Sequence, residues 1–221
     1  MSKFWLKTKS ILKVILEDYI KFPLRLLTSP IQGFTEFKDE KKGKLSVAVV
    51  FLLLASLLAI IRYNNDGIII NTNNPEKFNS ITILIYTIFP PIILAVANWT
   101  ITTLMNGKGK MKEIMTLAGY CYFPTIIISF VNLILSNVLI ESEVQFITLL
   151  NILGYVLMGY MIFMGMIVIH EYGVFQTIAT VLLTILATLV ILFIALLIFD
   201  LSQQIYGFFY SLYDEIVTRF F

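Results

Sequence analysis

Charge is what this sequence has least of. Only 14% of its 221 residues are Asp, Glu, Lys or Arg, while 58% are hydrophobic. A soluble domain carries roughly a quarter charged residues. With a mean hydropathy of +0.88, this chain can solvate its surface only if lipid covers much of it. The single cysteine, Cys121, excludes an internal disulfide and a cysteine cage for a metal. The single histidine, His170, excludes a multi-histidine metal site. No Asp, Glu, Lys, Arg or His lies in the middle of any long apolar run. Such residues mark proton and ion pathways in membranes, so their absence counts against a proton-coupled pump. No acid–base pair or activated nucleophile is visible either. The chain reads as non-enzymatic and without a cofactor.

What is there is a series of five apolar runs, at about 45–61, 81–105, 114–140, 146–169 and 177–200. Each is near the ~20 residues that span hydrocarbon as a helix. They lack the period-2 alternation of a membrane barrel. The expected fold is therefore all-α, a polytopic membrane protein with five transmembrane helices. Residues 1–44 form an N-terminal segment and 201–221 a C-terminal amphipathic helix. Within the N-terminal segment, Ile11, Leu12, Ile15, Leu16, Tyr19 and Ile20 recur at helical spacing opposite Lys9, Lys13, Glu17 and Lys21. This predicts an amphipathic helix over 3–22, lying on the membrane or on the bundle, with Phe4 and Trp5 at the interface and Pro23 ending it. In the tail, Leu201, Ile205, Phe208, Leu212, Ile216 and Phe220 share one face.

The basic residues orient the chain. Ten of the sixteen Lys and Arg lie in residues 1–44, and Lys108, Lys110 and Lys112 lie in the turn between runs two and three. Arg62, Lys77 and Arg219 fall on the other side. By the positive-inside rule the N-terminus and that turn are cytoplasmic. The segment 170–176 has no Lys or Arg, so charge alone leaves a re-entrant fifth run open. Basic residues at the start alternate with Glu17, Asp18, Glu36, Asp39 and Glu40, which does not suit nucleic acid. The Asn-rich segment 62–80 reads as a mobile outer loop.

Polar and small residues form stripes inside the runs. Asn98 and Thr102 lie in run two; Thr125, Ser129 and Asn132 in run three; Thr180 and Thr184 in run five. Stripes of this kind serve helix packing and interhelical hydrogen bonds. Their other reading is a polar lining made of Asn98, Thr125, Ser129, Asn132, Thr180 and Thr184. Counting depth from the basic turn pairs Asn98 with run three near Cys121 and Thr125. Ala55 and Ala59 offer run one a close helix contact. Pro90, Pro91 and Pro124 should bend their helices. Gly107-Lys108-Gly109-Lys110 lacks the strand and the Ser/Thr of a phosphate loop. His170-Glu171 lacks the second histidine of a zinc motif, because Val174 stands there. The sequon Asn98-Trp99-Thr100 lies inside a run.

Pro30-Ile31-Gln32-Gly33-Phe34 before run one, Asn98-Trp99 late in run two, the Gly107-Lys108-Gly109 turn and Pro124 in run three occur in an order that resembles the Yip family. These are the Ypt/Rab-interacting membrane proteins, and the likeness is to their bacterial branch, over roughly residues 25–200. The family motif positions are then Pro30, Gly33, Phe34, Asn98, Trp99, Gly107, Gly109 and Pro124. The resemblance implies five spans and a cytosolic N-terminal part. Eukaryotic members are implicated in vesicle traffic and contact prenylated GTPases. This chain lacks their long acidic N-terminus and their Tyr-Leu-Phe-Phe-type motif, so GTPase binding is not carried over. The expected function is a scaffold or assembly protein in a bacterial cytoplasmic membrane. Its partners are the lipid bilayer and either another membrane protein or a second copy. The alternative is a small transporter or channel subunit with a polar cavity between spans two, three and five.

Overall fold

The computed structural model describes residues 13–220, so Phe4, Trp5 and Ile11 lie outside the described residues. From Lys13 the chain is helical and reaches α1 (Phe22–Thr28) through a π-turn at Glu17–Lys21. Pro23 does not end the helix. A proline ring crowds the carbonyl four residues back, and the wider turn relieves this, with the Phe22 N–H bonding to the Glu17 carbonyl. After Ser29 comes α2 (Pro30–Lys38), with Pro30 in its first turn, where a missing N–H costs nothing.

Then follow α3 (Leu45–Asn65), α4 (Ser80–Leu104), α5 (Met111–Tyr120), α6 (Phe123–Leu135), α7 (Val144–His170) and α8 (Val174–Phe220). Five segments are long and apolar enough to cross a membrane: α3, α4, α5 with α6, α7 with the turn before it, and α8. The third is broken at Cys121–Tyr122, where Pro124 enters the first turn of α6. By contrast α4 runs through Pro90 and Pro91 without a break. Span five and the amphipathic tail are one continuous helix. The Asn-rich segment is tied down. Asn71 and Asn73 donate to the Tyr63 carbonyl, and Asn79 accepts from the Ile81 and Thr82 N–H groups to cap α4.

In the bundle α4 packs chiefly on α8 and α3, α5 on α3, α6 on α7, and α2 on α7. The core sits at the end of the bundle that carries the basic residues. There Tyr120 receives Phe22, Phe37 and Phe51 nearly edge-on, at centroid distances of 5.9, 5.5 and 5.5 Å. These aromatic contacts each add to the apolar area buried. Leu26 and Phe34 are fully enclosed, so α1 and α2 are plugged into the bundle. The tightest crossing is α3 on α5. A Cβ added at Gly119 would stand 2.6 Å from the Ala48 carbonyl oxygen and 2.7 Å from the Ala48 Cα. The close contact of span one is thus made by Ala48. Ala55 and Ala59, two and three turns on, line a cavity instead.

Candidate functional site

Two helices end together at the basic end of the bundle. Both close in the same way, with a non-glycine residue in the left-handed region: Asn106 after α4 (φ 58°) and Glu171 after α7 (φ 57°). In each, the next N–H returns to a carbonyl five residues back, Gly107 to Thr102 at 2.7 Å and Tyr172 to Ile167 at 3.0 Å. This motif satisfies carbonyls that a helix end leaves orphaned. The second cap then serves the first. The Tyr172 hydroxyl lies within 3.4 Å of the Thr102 carbonyl and 3.3 Å of the Met105 carbonyl, and the Gln176 amide also donates to Met105.

Between the caps lies His170, 1% exposed, stacked on Tyr172 at 5.3 Å. Its Nε2 is 3.1 Å from Asn98 Oδ1. The Asn98 amide donates to Thr184 Oγ1 at 3.1 Å and lies 3.8 Å from Met166 Sδ. An amide that donates through nitrogen presents oxygen as acceptor, so Nε2 carries the imidazole proton. His170 Nδ1 then has a lone pair and no partner among the described residues. It faces the glycine turn. Added Cβ atoms at Gly107 and Gly109 would stand 2.7 and 2.8 Å from it. The two glycines are there because the chain must pass against the imidazole. Over this arrangement Glu171 accepts from Lys38 at 2.7 Å and from Lys108. The Lys108 and Lys38 ammonium groups hold its carboxyl at about 2. The unfolded value being higher, any stability from these pairs is present above about pH 4.5 and fades as pH falls through about 2. Being exposed, the pairs contribute little.

Asn98, Gly107 and Gly109 are thus brought together. Gly33 and Phe34 meet elsewhere, at Leu26 and Gly165, one layer behind α7. Trp99 points out of the bundle, 44% exposed, and Pro124 lies at the α5–α6 break. Asn98 does not bond across the hairpin to span three. It turns to spans four and five, because α4 packs on the threonine face of α8.

The lining residues divide. Thr125 and Ser129 face a cavity of about 450 Å³ near the Asn-rich end, with Arg62 and Asp66 paired at 3.1 Å in its wall. Asn98 and Thr184 instead touch a cavity of about 520 Å³ whose walls are apolar, among them Pro90, Leu94, Ile162, Phe163 and Ile185. Tyr122 and Met158 stand between the two. Asn132 is fully buried and donates to Asn151 at 2.9 Å, and Thr180 bonds its own helix at Gln176 and contacts Met105 Sδ. The cavity that spans two, three and five share also has span four in its wall, and it is apolar. The polar one lies between spans one to four. Among the described residues no cluster of His, Cys, Asp and Glu could hold a metal.

The model of one family, the Yip1 domain, matches residues 24–213. The chain belongs to the Yip family. No curated protein and no solved structure matches it. Together with the five apolar helices, this makes the protein a multi-pass membrane protein with a Yip1 domain. Both helix caps and the whole Asn98–His170 network fall within that domain. His170 and Tyr172 were visible in the sequence only as the one histidine and an aromatic at the end of a run. Nothing in spacing joins them to a glycine turn some sixty residues earlier.

Proposed function

We propose that the protein is a non-enzymatic scaffold or assembly partner in a bacterial cytoplasmic membrane, with its N-terminus and the 106–113 turn in the cytoplasm. The observation that carries this is the far end of α8. The helix has 47 residues, about 70 Å at 1.5 Å per residue, more than twice the ~30 Å of hydrocarbon. Beyond Asp200 its Leu201, Ile205, Phe208, Leu212 and Ile216 are all exposed on one face, and among the described residues nothing covers them. An apolar ridge of this size outside the hydrocarbon suits another membrane protein or a second copy. The buried polar groups of the site are meanwhile spent on joining helices. The apolar wall of the inner cavity favours packing over solute passage.

A photo-crosslinking residue at Phe208 in intact cells is expected to give one discrete protein adduct. The same residue at Leu189, within the lipid-facing part of α8, should give none. Lipid adducts alone at both positions would overturn the scaffold reading. The orientation has its own test. Ser2→Cys and Lys110→Cys, each in a Cys121→Ala background, should resist an impermeant thiol reagent until the cells are opened. Labelling of Lys110→Cys from outside would reverse the topology.

A further inference from the structure

A third pocket opens at the basic end, between the end of α2 and the starts of α3 and α5. It has a volume of about 540 Å³ and is lined by Lys38, Lys41, Lys44, Lys110 and Lys112 over a floor that includes Phe37. One acid, Glu113, lines it, and that carboxylate is engaged by the Lys110 N–H at 2.9 Å. Lys38 is paired with Glu171 and Lys44 with Asp18. Lys41, Lys110 and Lys112 have no acidic partner among the described residues. The pocket therefore keeps a net positive charge that the fold itself does not neutralise.

The sequence makes this cationic wall at a local cost. Lys44 is the N-cap of α3 and Lys110 the N-cap of α5, both extended, and neither accepts a hydrogen bond through its side chain. Serine, threonine, aspartate and asparagine are the favoured caps, because they accept from first-turn N–H groups. Lysine has no acceptor, and its charge opposes the positive end of the helix dipole. Two helices that enter the membrane side by side each begin in this unfavourable way at one cavity. A bound anion offsets both costs, by neutralising the ammonium groups and accepting from the first-turn N–H groups. Basic pockets between membrane helices at headgroup level are suited to acidic lipids.

We propose that this pocket binds a phosphate-bearing anion, either the headgroup of an acidic phospholipid or free phosphate. The lysines are the recognition groups, and α3 and α5 meet the anion end-on. Occupancy ties the start of span one to the start of span three, next to the Ala48–Gly119 crossing.

The test uses the full chain in nanodiscs of neutral phosphatidylcholine. Added phosphatidylglycerol should raise its melting temperature by about 3–6 °C at a tenfold excess over Kd. The triple variant Lys41→Gln, Lys110→Gln, Lys112→Gln should lose that shift. In neutral lipid it should melt at or slightly above the native temperature, since a cation leaves a helix N-terminus. The triple variant Lys13→Gln, Lys21→Gln, Lys42→Gln, with the same charge removed outside the pocket, should keep the shift. Inorganic phosphate at millimolar concentration is the second arm. A shift there identifies a free anion, and a shift with the lipid alone identifies the headgroup. If both triple variants lose the shift equally, or if neither phosphatidylglycerol nor phosphate shifts the native chain, the proposal is overturned.

Discussion

Gly119→Leu is expected to prevent assembly of the bundle. Any side chain there meets the Ala48 Cβ at 2.5 Å and, just behind it, the Ala48 carbonyl oxygen and Cα at 2.6 and 2.7 Å, which are main chain and cannot turn aside. Spans one and three would have to separate, and Tyr120, the next residue, sits among three phenylalanines in the core. Overpacking a close core contact costs about 1–3 kcal/mol when side chains can give way. Here the backbone must move, so the cost lies at or above the top of that range. Size-exclusion chromatography in mild detergent should show aggregate in place of a single species. Gly119→Ala should be milder, and Ala48→Gly should recover part of its lost melting temperature by removing the opposing Cβ. Gly159→Ala is the control. Nothing lies within 4 Å of its added carbon, and alanine is the better helix former by about 1 kcal/mol. If Gly119→Leu folds and melts like the native chain, the α3–α5 crossing is misplaced.

Asn98→Leu is expected to destabilise the basic end by about 1–3 kcal/mol, the cost of leaving a buried partner unpaired. The partner is His170, whose Nε2 has no other acceptor among the described residues. Two features distinguish this from a simple loss of packing. His170→Phe should cost a similar amount alone, and the double variant should cost little more than either single one, since the two side chains share one interaction. A strictly additive cycle would place the two side chains apart. Thiol labelling at Lys108→Cys supplies the second readout. With Asn98 gone, the imidazole that backs the turn at Gly107–Gly109 loses its anchor, and labelling should be faster.

The five spans were legible as apolar runs because burial in lipid imposes length and composition directly on the sequence. Their ends were less so. Span three was read to residue 140, yet α6 stops at Leu135, since hydropathy does not register where the backbone turns. Pro23 was taken as a stop because a proline in an ordinary α-turn is one, and the sequence does not show that the turn widens. Depth counting pairs Asn98 with span three, whereas its partners are His170 and Thr184. Counting along two helices fixes height above the turn, whereas the partner depends on which way each helix faces. The bundle decides that. The same limit hid Gly119. A lone glycine in an apolar run has no period, and its meaning arises only from Ala48, some seventy residues earlier. The lysine pocket was read as two separate basic stretches that orient the chain. Only the fold joins 38–44 to 110–112.

The unbroken helix α8 has the geometry of a lever. Near its start, Thr177, Thr180 and Thr184 are buried against the rest of the bundle, and from there the helix runs on without a hinge to Phe220. Roughly 35 residues separate Thr184 from Arg219, a shaft of about 52 Å. A tilt of about 5° at the Asn98–Thr184 hydrogen bond would carry the free end sideways by about 4–5 Å over that length. A movement too small to disturb packing near one end of the helix would thus become, at the other, a displacement the size of a side chain.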